Sequence, residues 1–451
     1  LIASENYSSL AVQAAQGNLL TDKYAEGIPG YRFYAGCDNV DDVESEAARL
    51  ACELFGAEHA YVQPHSGSDA NLWAFTAIIS AERQEPLMEK LGIDNPAHAT
   101  KEQWDEIRKA YFGQKLLAMD YYSGGHLTHG YRQNFTSLLF DVSQYTVNKE
   151  TYLLDIEEIR AQLHAVRPMI FLIGYSAYPR KINFKQMKEL ADEVDAVFMV
   201  DMAHFAGLVA GKVFTGEYDP VKYADVVTTT THKTLRGPRG GIILCKEKYA
   251  KYVDKGCPAI TGGPLPHVMA AKAVAFQEAL KPEFKTYAQK IVDNADALAS
   301  ALTALGASVV SGGTDNHLLL VDCEKSYGLT GRQAESALRE CSLTMNRNAL
   351  PFDVNGPWYT SGIRLGTPAV TTLGMEQAEM KEIAEVINLI LSNTKPTIIE
   401  KGDNKGKPSK AKYLIDEQAK TEARARVKAL LERFPLYPSL TIEIVPEEYF
   451  A

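Results

Sequence analysis

The stretch Asp225-Val-Val-Thr-Thr-Thr-Thr-His-Lys-Thr-Leu-Arg-Gly-Pro-Arg-Gly-Gly241 decides the fold. Its β-branched run from Val226 to Thr231 suits a buried strand, and the chain then breaks into a Gly/Pro-rich turn just after His232 and Lys233. Lys233 therefore falls at or just past a strand's C-terminal end. In open parallel α/β sheets ligands bind in the crevice beyond that edge, so an amine there is placed for chemistry. A lone loop lysine is ordinarily a solvated one. Against that stands Val197-Phe-Met-Val-Asp201-Met-Ala-His204, which brings a carboxylate and an imidazole to the end of another buried strand. An amine for a Schiff base and an aspartate for a pyridinium nitrogen are the protein's half of a pyridoxal-phosphate site.

Outward from these strands the rhythm repeats. Met169-Ile-Phe-Leu-Ile-Gly174-Tyr-Ser176 reads as a buried strand ending in a hydroxyl, an amphipathic helix follows through Phe184, Met187, Leu190 and Val194, and Gly241 to Cys245 is a further strand. Alternating β and α units imply a largely parallel sheet with helices on both faces, and Ser176, Asp201 and Lys233 then share one sheet edge. Upstream, Ala60-Tyr-Val-Gln-Pro-His65-Ser66-Gly67-Ser68 reads as strand, turn and helix start. Free N–H groups and serine hydroxyls there make an anion site, so Ser66, Gly67 and Ser68 are the expected phosphate cup. Lys115 to Asp120 is another strand, and Ser123-Gly-Gly125-His126-Leu-Thr-His129 follows it. An imidazole flanked by glycines suits a ring laid against a flat ligand, and two histidines without further ligands do not make a metal site.

With 451 residues, 46% of them hydrophobic and 23% charged, the chain is globular and long enough for two or three domains. A net charge of −10 argues against non-specific nucleic-acid binding. Six scattered cysteines without CxxC spacing indicate neither zinc nor a disulfide framework and fit a reducing cytoplasm. No apolar run is long enough for a membrane span. The sequence begins at Leu1 without methionine, as a chain lacking its true start would. Residues 1–36 read as an N-terminal arm, 37–282 as the large domain with a charged surface insertion at about 85–114, 283–395 as a smaller α+β domain, and 396–451 as a flexible linker and helical tail. Helical spacing from about Val268 runs past Pro282 to Gly306. Arg364, in a short strand between turns, is a candidate clamp for a substrate carboxylate, with an ion pair to Asp or Glu as the ordinary alternative.

From Leu1 to Leu391, and above all at Thr228-Thr-Thr-Thr-His-Lys-Thr-Leu-Arg-Gly-Pro-Arg-Gly-Gly241, the sequence resembles the serine hydroxymethyltransferases, aspartate-aminotransferase-like fold-type I pyridoxal-phosphate enzymes of the α/β class. The resemblance implies pyridoxal 5'-phosphate as cofactor, tetrahydrofolate as co-substrate, and conversion of serine to glycine. It implies that Lys233 carries the cofactor, Asp201 pairs with its ring nitrogen, His126 stacks on the ring, and Ser176 and His204 approach the ring hydroxyl. Ser66, Gly67 and Ser68 would hold the phosphate, Arg364 and Ser4 the substrate carboxylate, and Glu26 would act as acid and base on the hydroxymethyl oxygen, with Thr230 and Tyr34 also catalytic. In the family each site is built across a homodimer, alone or within a tetramer, so Tyr24, Glu26, Tyr34, Gly262 and Gly263 would reach in from the partner subunit. Gly125, Leu127 and Asn348 match folate-contacting positions.

Four features depart from the family pattern. Cys257-Pro-Ala-Ile-Thr261 replaces the usual Phe-Pro-Gly-x-Gln and removes an aromatic expected near the folate. The insertion and the tail are additions, and the helical arm that precedes this start in the family is not in the sequence. The altered loop motivates an alternative, a folate-independent aldolase acting on 3-hydroxy amino acids. A non-catalytic protein retaining the fold is the third reading.

Overall fold

The computed structural model describes residues 1–439; residues 440–451, the end of the expected tail, lie outside the described residues. A two-strand ribbon, β1 (Gly27–Ile28) with β2 (Tyr31–Arg32), precedes the main sheet. That sheet comprises β3 (His59–Tyr61), β4 (Gln114–Met119), β5 (Phe140–Tyr145), β6 (Ile170–Gly174), β7 (Val197–Asp201), β8 (Val226–Thr230) and β9 (Gly241–Cys245), in the order β3-β9-β8-β7-β6-β4-β5. Along β6, β7 and β8 every residue is buried. Alternate residues feed two separate cores: Phe171, Phe198 and Val227 pack on one face, Ile170, Met199 and Val226 on the other. Sheets covered on both faces read as continuous apolar runs, which is why these strands were legible.

The pairings from β5 through β8 are parallel, whereas β9 runs antiparallel to both β8 and β3. A parallel return takes a crossover of about a dozen residues or more. The turn between Thr230 and Gly241 is shorter and holds no helix, so the chain doubles back and the loop bearing Lys233 stays at the β8 edge.

The second core surrounds a four-stranded antiparallel sheet, β10 (Ser308–Val309), β11 (Leu318–Asp322), β12 (Asn346–Asn348) and β13 (Gly362–Gly366), in the order β10-β11-β13-β12. The helix expected to run through Pro282 is two helices, Pro266–Ala279 and Pro282–Ala304. Proline lacks an N–H and is suited to the first turn of a new helix. The insertion forms helices Glu85–Leu91 and Lys101–Tyr111, anchored by buried Met88 and Ile107.

The expected flexible linker is corrected by the structure. β14 (Thr394–Ile398) and β15 (Pro408–Ile415) form a hairpin, and Gln333 Nε2 donates to the Ser409 and Lys412 carbonyls. Helix Glu417–Arg433 buries Ala423, Val427 and Leu430 in the same core as Leu298, Ile387 and Leu391. The tail thus completes the smaller domain. Alternate residues of β15 contact it while the others face water, so a polar composition concealed a strand.

Candidate functional site

A cavity of about 400 Å³ lies beyond the ends of β6, β7 and β8. Its wall includes Ser66, Gly67 and Ser68 from the start of helix Gly67–Ile79, and Ser176, Asp201, His204, Thr230 and Lys233 from the sheet edge. His126, Ser4 and Arg364 complete the predicted members. A groove of about 480 Å³ along Asp293, Ala297, Ala301 and Lys381 is as roomy but is cut into helix surface, so convergent chemistry and not size singles out the site.

Asp201 is buried and accepts three hydrogen bonds, which leaves Oδ1 with room for one more donor. Its Oδ2 accepts from Asn71 Nδ2 at 2.8 Å and His129 Nε2 at 3.1 Å, and its Oδ1 from the Ala203 N–H at 3.0 Å. Thr228 Oγ1 donates to Asn71 Oδ1 at 2.5 Å, which turns the amide's donors toward Asp201. The His126 N–H donates to His129 Nδ1, so the proton of His129 sits on Nε2, facing the carboxylate. Burial alone would raise the Asp201 pKa; the hydrogen bond from His129, with that from Asn71, holds it well below the usual carboxylate range.

The two cations are held differently. Lys233 is buried and, among the described residues, has no carboxylate within ion-pairing distance. Burial pulls its pKa down to about 8, against the attraction of Asp201 and with the repulsion of Arg364 and Arg239. Arg364 Nη1 donates to the Ser176 carbonyl at 2.5 Å and its Nε to Asn346 Oδ1 at 3.1 Å. Among the described residues Arg364 too lacks a carboxylate partner, which removes the ordinary ion-pair alternative. Burial brings its pKa down to about 10. His126 Nδ1 accepts from the Thr128 N–H, and burial, chiefly, lowers its pKa to about 4, so the ring is neutral at physiological pH. His204 Nδ1 lies 3.1 Å from His317 Nε2, and burial lowers both pKa values.

Ser66 caps helix Gly67–Ile79, its hydroxyl accepting the Asp69 N–H. The first N–H groups of a helix have no intrahelical acceptor and point at incoming anions. A side chain on Gly67 would meet Thr230 Cγ2 at 2.7 Å, so this close approach of the cup to β8 needs glycine.

The remaining predicted residues do not line this cavity. Tyr24, Glu26, Tyr34, Gly262 and Gly263 gather in a separate group: the Tyr24 hydroxyl donates to Glu26 at 3.3 Å, its ring lies 4.9 Å from that of Tyr34, and Gly263 abuts it. Tyr24 and Tyr34 are exposed, as are the neighbouring Tyr31 and Phe33. Leu127 is exposed, Asn348 Nδ2 bonds the Ala349 carbonyl, and Gly125 packs under the Met119 carbonyl. Sequence reasoning missed Asn71, His129, His317 and Asn6, whose Nδ2 donates to the Lys233 carbonyl at 2.8 Å. The His126-Leu-Thr-His129 spacing was the one visible signal for any of them.

A family model described as serine hydroxymethyltransferase matches residues 1–110 and 109–387. The chain belongs to the serine hydroxymethyltransferase family. Serine hydroxymethyltransferase of Treponema pallidum (strain Nichols) is 58% identical over 440 residues, spanning 98% of this chain and 76% of that relative. The enzyme of that name from Salinispora tropica is 53% identical over 98% of this chain and 91% of its own length, and that of Mycolicibacterium smegmatis 52% over 98% and 88%. Serine hydroxymethyltransferases are fold-type I enzymes that depend on pyridoxal phosphate and use tetrahydrofolate as co-substrate. The cavity fits that cofactor: a helix N-terminus for a phosphate, an unpaired amine for a carbonyl, and an ionised aspartate for a ring nitrogen.

Proposed function

We propose that this chain catalyses the reversible conversion of serine and tetrahydrofolate to glycine and 5,10-methylenetetrahydrofolate, as a cytoplasmic homodimer with shared sites. No described helix is long and apolar enough to cross a membrane. The observation that carries the reading is one cavity holding, beside an ionised aspartate, a buried lysine and a half-buried arginine that have no carboxylate partner among the described residues. Burying unpaired charge costs several kcal/mol. The anions that would offset it here are a cofactor phosphate and an amino-acid carboxylate.

Pyridoxal phosphate, when bound, supplies the electron sink for bond breaking at the substrate's α-carbon. Ser66, Gly67 and Ser68 would hold its phosphate and Lys233 its carbonyl carbon. Asp201 would keep a proton on the ring nitrogen, a role its three donors support by holding it ionised. His126 would lie against the ring, and Ser176 and His204 would approach the ring hydroxyl. Arg364 and Ser4 take the substrate carboxylate. Glu26, with Tyr24, Tyr34, Gly262 and Gly263, would come from the partner subunit, and Glu26 moves the proton on the hydroxymethyl oxygen. Gly125, Leu127 and Asn348 would contact the folate. Thr230, which donates to the Ala203 carbonyl, keeps the Asp201 and Lys233 loops together.

The test is the visible spectrum of the purified protein with glycine, then with tetrahydrofolate added. A red-shifted band that requires both is expected. A response to glycine that ignores folate would replace this reading with folate-independent aldol cleavage.

A further inference from the structure

Lys272, on helix Pro266–Ala279, is 1% exposed, yet nothing in the reaction uses it. Its Nζ donates to the carbonyls of Val62 at 2.6 Å, Pro64 at 3.0 Å and Gly241 at 2.9 Å. Three acceptors that can only accept require three N–H donors, which is the protonated ammonium. Among the described residues no carboxylate pairs with it; burial draws its pKa down to about 7, against a weaker pull from Glu44. The cation is therefore balanced by peptide dipoles.

Those dipoles belong to the two strands that frame the phosphate cup. Val62 and Pro64 lead from β3 into Ser66-Gly67-Ser68, while Gly241 opens β9 at the far end of the loop that carries Lys233. The Pro64 carbonyl also accepts the Gly241 N–H at 2.9 Å, and the Thr231 N–H donates to the Gly240 carbonyl at 3.1 Å. A methyl group on Gly240 would sit 2.6 Å from Lys272 Cε, and one on Gly241 2.3 Å from the Ser66 carbonyl oxygen. The peptide is planar, so fixing the direction of the Pro64 carbonyl also fixes that of the His65 N–H on the approach to the cup.

We propose that Lys272 is a positioning residue for phosphate-monoester recognition, its ammonium acting as a tethered monovalent cation that clamps the exit of β3 to the start of β9 and so aims Ser66-Gly67-Ser68 at the ligand. The inference rests on reading those three residues as the cup.

The test compares the full-length chain with Lys272→Met, which keeps the stem and removes the donors, and with Lys272→Gln. Each is titrated with pyridoxal 5'-phosphate and with pyridoxal, followed by absorbance, and the thermal midpoint of the cofactor-free protein is recorded. Loss of a charge-assisted clamp should weaken pyridoxal phosphate by about 10-fold or more in the Met variant while pyridoxal changes less than about 2-fold. A variant that loses both ligands in proportion, or keeps the wild-type preference for the phosphorylated one, overturns the proposal. Failure of both variants to fold overturns it too, leaving Lys272 a residue of core stability. If the wild-type chain shows no preference for the phosphorylated ligand, the cup reading itself fails.

Discussion

The cavity at the sheet edge and the exposed tyrosine cluster are both assigned to one reaction, yet they are built in opposite ways. In the cavity Asp201 is buried and oriented by Asn71, His129 and Ala203, and Arg364 is half-buried and oriented by Ser176 and Asn346. Around Tyr24 the acid is held by a single phenol, and four aromatic rings face water. The first region is pre-organised within one chain. The second is an exposed surface apart from the cavity of its own chain, as a part delivered to a neighbouring site would be.

The largest effect should come from Lys233→Ala, with turnover reduced by ~10³-fold or more, the scale at which covalent and acid–base groups act. Steady-state assay of the folded variant checks it; undiminished turnover would remove Lys233 from the chemistry. Glu26→Gln should lose ~10² to 10⁴-fold in hydroxymethyl transfer while still binding the cofactor. Together the two variants test the comparison directly. Random reassociation of two inactive chains should return about a quarter of the wild-type activity, because half the dimers are mixed and each has one intact site. No recovery would mean that both regions serve the same chain.

Much of this division was visible in the sequence because its physics is local. The β6, β7 and β8 strands are apolar or β-branched runs that can only be buried, so Ser176, Asp201 and Lys233 were bound to emerge on one edge. Arg364 was found by residue type. The groups that hold Asp201 were not, since Asn71 and His129 meet it across 130 and 72 residues. That meeting depends on rotamers and on the Thr228 hydroxyl, and no periodicity encodes it. The antiparallel entry of β9 went unnoticed because the Lys233 loop was read for its chemistry and not for its length.

The pre-organised region also has a pH signature. Only the neutral amine attacks a carbonyl, and with the Lys233 pKa down to about 8 its neutral fraction falls tenfold per unit below that value and levels off above it. The rate of cofactor capture by the cofactor-free protein should therefore rise ~50-fold from pH 6 to 8 and only about 2-fold more above that, as stopped-flow absorbance can follow. An ordinary lysine would keep gaining to beyond pH 10, so a continued rise would mean that the cavity does not desolvate the amine. Arg364→Ala should raise the serine KM by ~30-fold or more, since the loss of a charged, hydrogen-bonded pair costs about 2–5 kcal/mol. A KM within 2-fold of wild type would assign the carboxylate elsewhere.

The smallest expected effect concerns the tail, which grips the segment that carries Ser4. The Tyr437 hydroxyl donates to the Ser8 carbonyl at 2.8 Å and accepts from Gln13 Nε2 at 2.6 Å, with its ring edge-on to Tyr7. The segment it grips also carries Ser4, in the cavity wall, and Asn6, whose amide holds the Lys233 carbonyl and the Tyr287 hydroxyl. Tyr437→Phe keeps the ring and removes two hydrogen bonds, so a loss of about 1–2 kcal/mol and a fall of a few degrees or less in the thermal midpoint are expected. The serine KM separates two ways in which the arm could be held. If Asn6 and its own partners suffice, the KM stays at the wild-type value although the midpoint falls. If it rises in step, Ser4 is aimed from the tail, and the pre-organised half of the site extends some 430 residues along the chain, past residue 387 where the match to the family model ends.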